Sequence, residues 1–245
     1  MSLLTIVQGA VNRLGLPPLS AVVTSTDTTA VEMQALAQAE GKELAARAEW
    51  KILTKEQVFS ATNAAAQAGG LPSDLGWIIP ETLFNRTLRR KFSGPLNQEE
   101  WQYIQANLTT LVWPAFRVRG TSLLITPSPS AGDIIAYEYV SNQWCQSSGG
   151  TPQSAWGDDS DTALIDEELH TLGLIWRFKK AKGLDYADDF RIYDLQVRQA
   201  IYREGSRPKI SSDPSFRLSR HGADALAAAR GDIILSDDGA GLMWD

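Results

Sequence analysis

The hydrophobic pattern at the start of the chain indicates a short helix. Apolar residues recur at three- and four-residue spacing over residues 3–14, as they do along one face of an α-helix. Gly15 follows as a typical helix end, and the Pro17-Pro18 pair after it favours an extended link because proline cannot continue a helix. The sequence therefore predicts one N-terminal helix that ends at about residue 14.

A second helix is predicted to start after the candidate N-cap residues Ser25, Thr26 and Asp27 and to run to about Trp50. Its apolar side is predicted to be buried and its charged side to face solvent. The predicted buried positions are Val31, Leu36, Ala37, Leu44 and Ala48. The predicted solvent-facing positions are Glu32, Glu40, Lys42, Glu43 and Arg47.

The middle of the chain has the alternating pattern of β-strands. The predicted strands cover residues 55–61, 116–119, 122–126 and 133–140. Gly120-Thr121 predicts a tight hairpin between the second and third of these, and we expect the fourth to lie beside that hairpin. The intervening segments are predicted as an Ala/Gly loop at 63–70, an irregular apolar stretch at 77–88, a short helix at 98–107 capped by Asn97, and a Ser/Gly/Pro loop at 147–155.

The strongest helical pattern comes late in the chain. Asp161 or Thr162 is the predicted N-cap of a helix over residues 163–182, and Gly183 is its predicted left-handed end. Asp185 then caps a further helix that ends at Gly205, and so short a link predicts an antiparallel helix hairpin. The two apolar stripes are Ile165, Leu169, Leu172 and Trp176 on the first helix and Phe190, Tyr193, Val197 and Ile201 on the second.

Residues 206–245, called the arm below, have few large apolar side chains and are interrupted by Pro208 and Pro214. Such a segment is predicted to be extended and to order on a partner, although a tail with no role is the alternative. The predicted partner-binding anchors are Ile210, Phe216, Leu218, Ile233, Leu235 and Trp244. Residues 232–235 are a candidate for strand addition to the sheet edge of a neighbouring molecule.

These elements together predict an α+β fold. Helices at both ends of the chain must meet to bury their stripes, so residues 1–54 and the helix hairpin at 158–205 are predicted to form one helix bundle. Residues 55–157 are then an inserted, small antiparallel β-rich region. The arm completes the predicted organisation as an extended C-terminal segment.

Composition narrows the functional classes. A net charge of -6 and a pI near 5.0 argue against general nucleic-acid binding, which needs a basic face. A single cysteine, Cys145, allows neither an intrachain disulfide nor a thiolate metal cage. No apolar run approaches the roughly 20 residues that cross a bilayer, and the start is unlike a signal peptide, so no membrane association is expected.

The sequence contains no recognisable motif for a catalytic, cofactor or metal site, and the chain is predicted not to be an enzyme. No phosphate-binding loop and no Gly-x-Ser-x-Gly elbow occur. His170 is predicted to be a packed or surface residue of its helix and not a catalytic base, and His221 is predicted to be solvated. The acidic cluster Asp158, Asp159 and Asp161 lacks the spacing of a calcium loop and is predicted to cap the following helix. The basic residues Arg86, Arg89, Arg90 and Lys91 are predicted to lie in a solvated loop or strand edge or to face another protein, with passing DNA as the alternative.

A series of segments in this order resembles one known family, the head-to-tail adaptors, or connectors, of tailed bacteriophages and prophages. The longest is DEELHTLGLIWRFKKAKGLDYADDF at 166–190, preceded by WGDDSDTALI. The others are LTIVQGAVNRLGLPPLSAVVTSTD from Leu4, ELAARAEWKILTKEQVFS from Glu43, GPLNQEEWQ from Gly94 and AFRVRGTSLLITPSPSAGDIIAYEYVSNQW from Ala115. The arm resembles nothing in that family.

The resemblance implies a non-catalytic virion protein. It would form a ring of roughly twelve copies below the portal protein, through a head-to-tail interface. Its lower face would meet a tail or nozzle protein, DNA would only pass through the channel as cargo, and assembly would occur in the bacterial cytoplasm. Two alternatives stay open from the residues alone: a monomeric protein-binding module outside a virion, and an enzyme of unrecognised type.

Overall fold

The structure is a computed structural model that describes residues 2–106 and 114–204. Within these residues the α-helices are α1 (Leu3–Arg13), α2 (Thr28–Arg47), α3 (Gln98–Ala106), α4 (Glu167–Ala181) and α5 (Ala187–Glu204), and a short 3-10 helix covers Lys51–Leu53. The strands are β1 (Thr54–Ser60), β2 (Ala66–Gln67), β3 (Leu75–Ile78), β4 (Phe84–Asn85), β5 (Arg90–Lys91), β6 (Ala115–Arg119), β7 (Ser122–Thr126), β8 (Ile134–Ser141), β9 (Cys145–Gln146), β10 (Pro152–Gln153) and β11 (Thr162–Ala163). The predicted mixed class of helices and antiparallel sheets is confirmed.

Most helix ends follow the local signals in the sequence. Asp27 accepts hydrogen bonds from the amides of Thr29 and Ala30 and caps α2. Asn97 and Glu100 bond to each other's backbone amides at 2.8 and 2.9 Å, a capping box that starts α3. Asp185 accepts from the amide of Ala187 ahead of α5. These ends were predictable because a cap needs only residues within one turn.

The helix α4 is the centre of the helical part, since it contacts α1, α2 and α5. Its apolar side chains join those of α1 and α2 and the inner side of α5 in one core. Gly183 has a φ of 69°, the left-handed conformation that ends α4, and the chain then turns back along it in α5. The predicted stripe of α4 is buried as expected at Leu169 and Trp176, with Ile165 buried just before the helix.

The predicted start of α4 is wrong. The helix begins at Glu167 and is capped by Asp166, whose carboxylate accepts from the amide of Glu168 at 3.0 Å. Thr162 and Ala163, predicted as cap and first turn, instead form β11 and pair with β9. The helical spacing of apolar residues therefore placed Thr162 and Ala163 in the helix, although their pairing with β9 holds them in an extended conformation.

The predicted faces of α2 are also partly wrong. Val31, predicted to be buried, is 52% exposed, whereas Glu40, predicted to face solvent, is 0% exposed. The cause is the close approach of other elements, because a side chain on Gly41 would collide with the ring of Trp144, and one on Gly173 of α4 would collide with Glu40. The buried side of α2 is formed by Ala30, Met33, Ala37, Glu40, Gly41, Leu44 and Ala45.

The main sheet has five strands with β8 at its centre. β1 pairs along the whole of one side of β8, and β3 and β4 share the other side, with β5 beyond β4. β4 and the second half of β3 lie in the stretch 77–88 that was predicted to be irregular, and the two strands were missed because each is short and Pro80 separates them. β5 forms one edge of this sheet and β1 the other.

The predicted hairpin exists as β6 and β7, but its predicted neighbour is wrong. The hairpin pairs with β2 in a separate sheet, whereas the strand predicted beside it is β8 of the main sheet. The loops predicted at 63–70 and 147–155 contain the short strands β2 and β10. The two sheets meet through a second apolar core that includes Phe116, Ile125, Ile135 and Tyr137.

Candidate subunit interface

The predicted partner-binding anchors all lie outside the described residues, but the structure does describe Glu204, the last residue of α5. Residue Glu204 ends α5, and its Oε2 accepts a hydrogen bond from the backbone amide of Lys51 at 3.0 Å. Lys51 is only a few residues before β1, which starts at Thr54. The last described residue of α5 therefore lies beside the residues that precede an edge strand.

Large apolar side chains are exposed along the outer face of α5. Ile192, Leu195 and Tyr202 are 49%, 52% and 80% exposed, and their spacing of three and seven residues puts them on one side of the helix. The opposite side carries the buried residues Tyr193, Val197 and Ala200. We call Ile192, Leu195 and Tyr202 the α5 stripe. It was missed from the sequence because the inner stripe was taken as the helix's only apolar face.

The helix α5 is held in place by a buried carboxylate. Glu40 of α2 accepts a hydrogen bond from the Tyr193 hydroxyl at 2.6 Å and another from Arg177 Nε of α4 at 2.6 Å. Burial raises the pKa of Glu40 above its usual value, and the bonds from Tyr193 and Arg177 oppose that rise. Burial, and after it the same carboxylate, raise the pKa of the Tyr193 hydroxyl, which therefore stays a proton donor.

A second set of charges surrounds this pair. Arg177 also donates to Glu43, and Arg47 donates to Glu43 at 2.7 Å. The two guanidinium groups lower the pKa of Glu43 despite its partial burial. Arg47 further reaches Asp194 of α5 at 3.6 Å. The network joins α2, α4 and α5 and so fixes the position of α5, the helix that carries the α5 stripe.

The outer face of the main sheet carries a second exposed apolar group. Val58 of β1 and Phe84 of β4 both pair with Ala136 of β8, so the three lie in one row on one face. Val58 and Phe84 are exposed, as is Ile134 two residues along β8. We call Val58, Phe84 and Ile134 the sheet patch. It is separate in sequence from the α5 stripe, so the body presents apolar side chains on two different elements.

The basic residues predicted at a strand edge do lie there. Arg90 and Lys91 form β5, an edge of the main sheet, and Arg86 and Arg89 are exposed beside it. Lys91 pairs with Glu81 at 3.2 Å, and Arg86 pairs with Glu56. These two ion pairs neutralise part of the positive charge of the basic segment. Whether the segment faces protein, DNA or solvent stays a prediction.

The acidic cluster has a role different from the one predicted. The cluster caps the start of α1 through its backbone carbonyls and not through its carboxylates. The carbonyls of Asp161 and Asp159 accept hydrogen bonds from the amides of Leu3 and Leu4 in the first turn of that helix. The carboxylate of Asp159 accepts from the amides of Val22 and Val23 at 3.1 and 2.8 Å, and that of Asp161 accepts from Gly157 and Asp158. The cluster thus fastens the N-terminal segment to the later half of the body. No group of three or more His, Cys, Asp or Glu is arranged for a metal ion in residues 2–106 and 114–204.

His170 packs inside the body. Its ring lies 6.0 Å from that of Trp144 and 6.1 Å from that of Trp156, and it is buried. Burial lowers its pKa to about 4, so the imidazole is neutral at physiological pH. Of the two predicted settings for this residue, packed or on the helix surface, the structure shows the packed one, and His221 lies outside the described part of the chain.

No helix in the described ranges is long and apolar enough to cross a membrane. No model of a known protein family matches this chain, and no curated protein matches it significantly in sequence. Any functional assignment therefore depends on the surfaces above and on the resemblance of the ordered segments.

Proposed function

We propose that this chain is a non-catalytic head-to-tail adaptor of a tailed bacteriophage, which forms a ring below the portal and links it to the tail. The observation that carries the proposal is the α5 stripe, a row of large exposed apolar side chains on a firmly held helix. Large exposed apolar side chains grouped on one side of a helix are typical of interaction surfaces. The ordered resemblance over most of residues 4–204 supplies the identity of the partners.

In the proposed assembly α1, α2, α4 and α5 form the helix bundle of the ring-forming body. The β-rich region between α2 and α4 then faces a neighbouring copy or a tail or nozzle protein. A head-to-tail ring needs two different surfaces on each copy. The α5 stripe and the sheet patch meet that requirement, since they lie on different elements of one chain.

The arm is proposed to dock on the portal or on the adjacent copy through Ile210, Phe216, Leu218, Ile233, Leu235 and Trp244. The mature location is then the neck of the virion, after assembly in the cytoplasm of the bacterial host. DNA passes through the ring as cargo, and no cofactor takes part.

The proposal is tested by mixing the chain with the portal protein encoded in the same phage genome and imaging the particles by electron microscopy. We expect a ring of added density below the portal with the wild-type chain. Leu195→Asp is expected to abolish the ring because it places a charge within the α5 stripe. Its unfolding free energy should change by no more than about 0.5 kcal/mol, as for other surface positions.

The matched control for this variant is Leu184→Asp. Leu184 is equally exposed but lies in the link between α4 and α5 and not on the stripe. It should assemble as the wild type does. Closed two-fold dimers that do not bind portal, or normal rings from Leu195→Asp, would contradict the proposal.

Removal of the arm is expected to weaken portal binding and to leave the body folded. Truncation after Gly205 keeps every hydrogen bond and core residue described above, including the Glu204–Lys51 contact. The unfolding midpoint should therefore be close to that of the full chain, whereas sedimentation with portal should show less bound protein. Protease should trim the arm in the free chain and spare it in the complex. Equal portal binding by the truncated and full chains would exclude a docking role.

A further inference from the structure

The strand β1 has an open edge. Glu138 uses its backbone amide and carbonyl toward Thr82 and Ile79, on the side of β8 away from β1. The alternate residues Tyr137 and Ile135 therefore bond to β1, through their partners Gln57 and Phe59. The next hydrogen-bonded position, Ala61, follows the same alternation, since its amide bonds to Asp133.

The residues that alternate with these bonded positions consequently point their backbone N–H and C=O groups away from the sheet. These are Glu56, Val58 and Ser60, and no described residue of the body pairs with this side of the strand. The strand is seven residues long and contains neither a proline nor a bulge, and its two charged residues, Lys55 and Glu56, lie in its first half, so that residues 57–60 carry no such protection. Long edges without such protection readily accept another strand, and natural proteins normally cover or interrupt them.

We propose that residues 232–235 of an adjacent copy add to this edge as a further strand of the main sheet. The inference rests on the proposed ring, because it names the surface that receives the arm of the neighbouring subunit. The sequence Asp-Ile-Ile-Leu suits strand addition, since its backbone can complete the edge while its side chains alternate between the two faces. Ile234 would lie beside Val58 of the sheet patch, with Ile233 and Leu235 on the side of Phe59.

The position and length of the arm favour a neighbour's edge over the chain's own. Glu204, two residues before the arm, lies beside Lys51 and so close to the first residues of its own β1. A return to that edge would need only a few residues. Residues 205–231 instead separate α5 from the apolar run, and a fully extended chain of that length can span up to roughly 90 Å, well beyond the diameter of a body of this size.

A proline in β1 tests the edge without disturbing the sheet. The amide of Val58 points outward, so Val58→Pro removes a donor from the edge and none from the ladder with β8, and edge positions of this kind tolerate proline. The probe is a fluorescent peptide of residues 229–239, titrated against the full chain and followed by anisotropy. We expect at least tenfold weaker binding to Val58→Pro, with its unfolding midpoint unchanged. A peptide carrying Ile234→Asp is the matched control and should not bind the wild type.

Equal binding of the peptide to the wild type and Val58→Pro, or no binding to either, would overturn the inference. Cysteine pairing distinguishes the occupants, and the native Cys145 does not interfere because it is buried and its pKa is raised to about 12. Chains with Val58→Cys mixed with chains carrying Ile234→Cys should form a cross-linked dimer under oxidation. Arg119→Cys, on the separate hairpin sheet, should form none with Ile234→Cys.

A cross-link that forms only within a single doubly substituted chain would assign the edge to the chain's own arm and refute the inference. Neither experiment requires portal, so the two proposals fail separately. Ring formation on portal without peptide binding or cross-links would contradict only the proposed pairing of residues 232–235 with the β1 edge. Pairing of residues 232–235 with the β1 edge, without any association of the chain with portal, would contradict the proposed adaptor function.

Discussion

Arg177→Met is expected to lower the free energy of unfolding by about 3–5 kcal/mol near neutral pH, because removing one partner of a buried ion pair leaves the other charge uncompensated. The remaining charge is the carboxylate of Glu40, which is fully buried and accepts from Arg177 Nε at 2.6 Å. The Tyr193 hydroxyl is then its one remaining donor among the described residues. Denaturation with urea or guanidinium measures the loss.

Two further variants show that the buried charge is the cause. The double variant Glu40→Gln with Arg177→Met removes both charges and keeps an acceptor for Tyr193, so it should regain more than half of the lost stability. Arg198→Met breaks an exposed ion pair with Asp194 on α5 and should cost no more than about 1 kcal/mol. Equal losses in the single and double variants would mean that the packing of the Arg177 stem, and not the charge, was removed.

The same variant should respond to pH in a defined direction. Burial already raises the pKa of Glu40, and loss of Arg177 raises it further. A carboxyl with a raised pKa in the folded state binds its proton more readily there than in the unfolded chain. The folded state therefore gains stability as the pH falls through that pKa. The deficit of Arg177→Met relative to the wild type should be largest near neutral pH and smaller in mildly acidic buffer.

Trp176→Ala is expected to destabilise the body by about 3–5 kcal/mol, the usual cost of emptying a large buried aromatic site. The indole is buried, packs edge-on against Phe190 at 5.1 Å and lies 5.9 Å from the ring of Tyr193. The guanidinium of Arg177 also stacks on it, at 4.6 Å from the ring centre. The substitution therefore removes contacts between α4 and α5 as well as part of the core, and thermal and chemical unfolding should both report the loss.

Tyr202→Ala is the matched control for this prediction. Tyr202 is an aromatic residue of the same helix pair but belongs to the exposed α5 stripe, so its removal should change stability by no more than about 0.5 kcal/mol. An unchanged melting temperature in Trp176→Ala would show that the stripe of α4 is mainly an interface surface. A large loss in Tyr202→Ala would show that the α5 stripe already packs on something in the free chain.

The candidate interface was only partly visible in the sequence. The exposed residues of α5 recur at helical spacing, so a second apolar face could have been detected beside the stripe of Tyr193 and Val197. The sheet patch could not, because Val58 and Phe84 become neighbours only through their shared partner Ala136. The free edge of β1 likewise depends on which strands pair with β8. That choice involves residues far apart along the chain.

The sequence by itself determined the features that depend on neighbouring residues. The caps at Asp27, Asn97 and Asp185, the left-handed end at Gly183 and the hairpin of β6 and β7 all follow from contacts within a turn or two, and all were predicted. The mixed class of the fold also followed, since helical and alternating patterns are themselves local.

Tertiary structure alone decided what covers each element. Glu40 is buried because Arg177 and Tyr193 reach it from helices more than a hundred residues later, and no local pattern marks a carboxylate for such partners. The start of α4 was set by the pairing of β11 with β9, which overrode a continuous helical spacing. Local propensity differences amount to about 1 kcal/mol per residue or less, so long-range pairing and packing prevail wherever the two disagree.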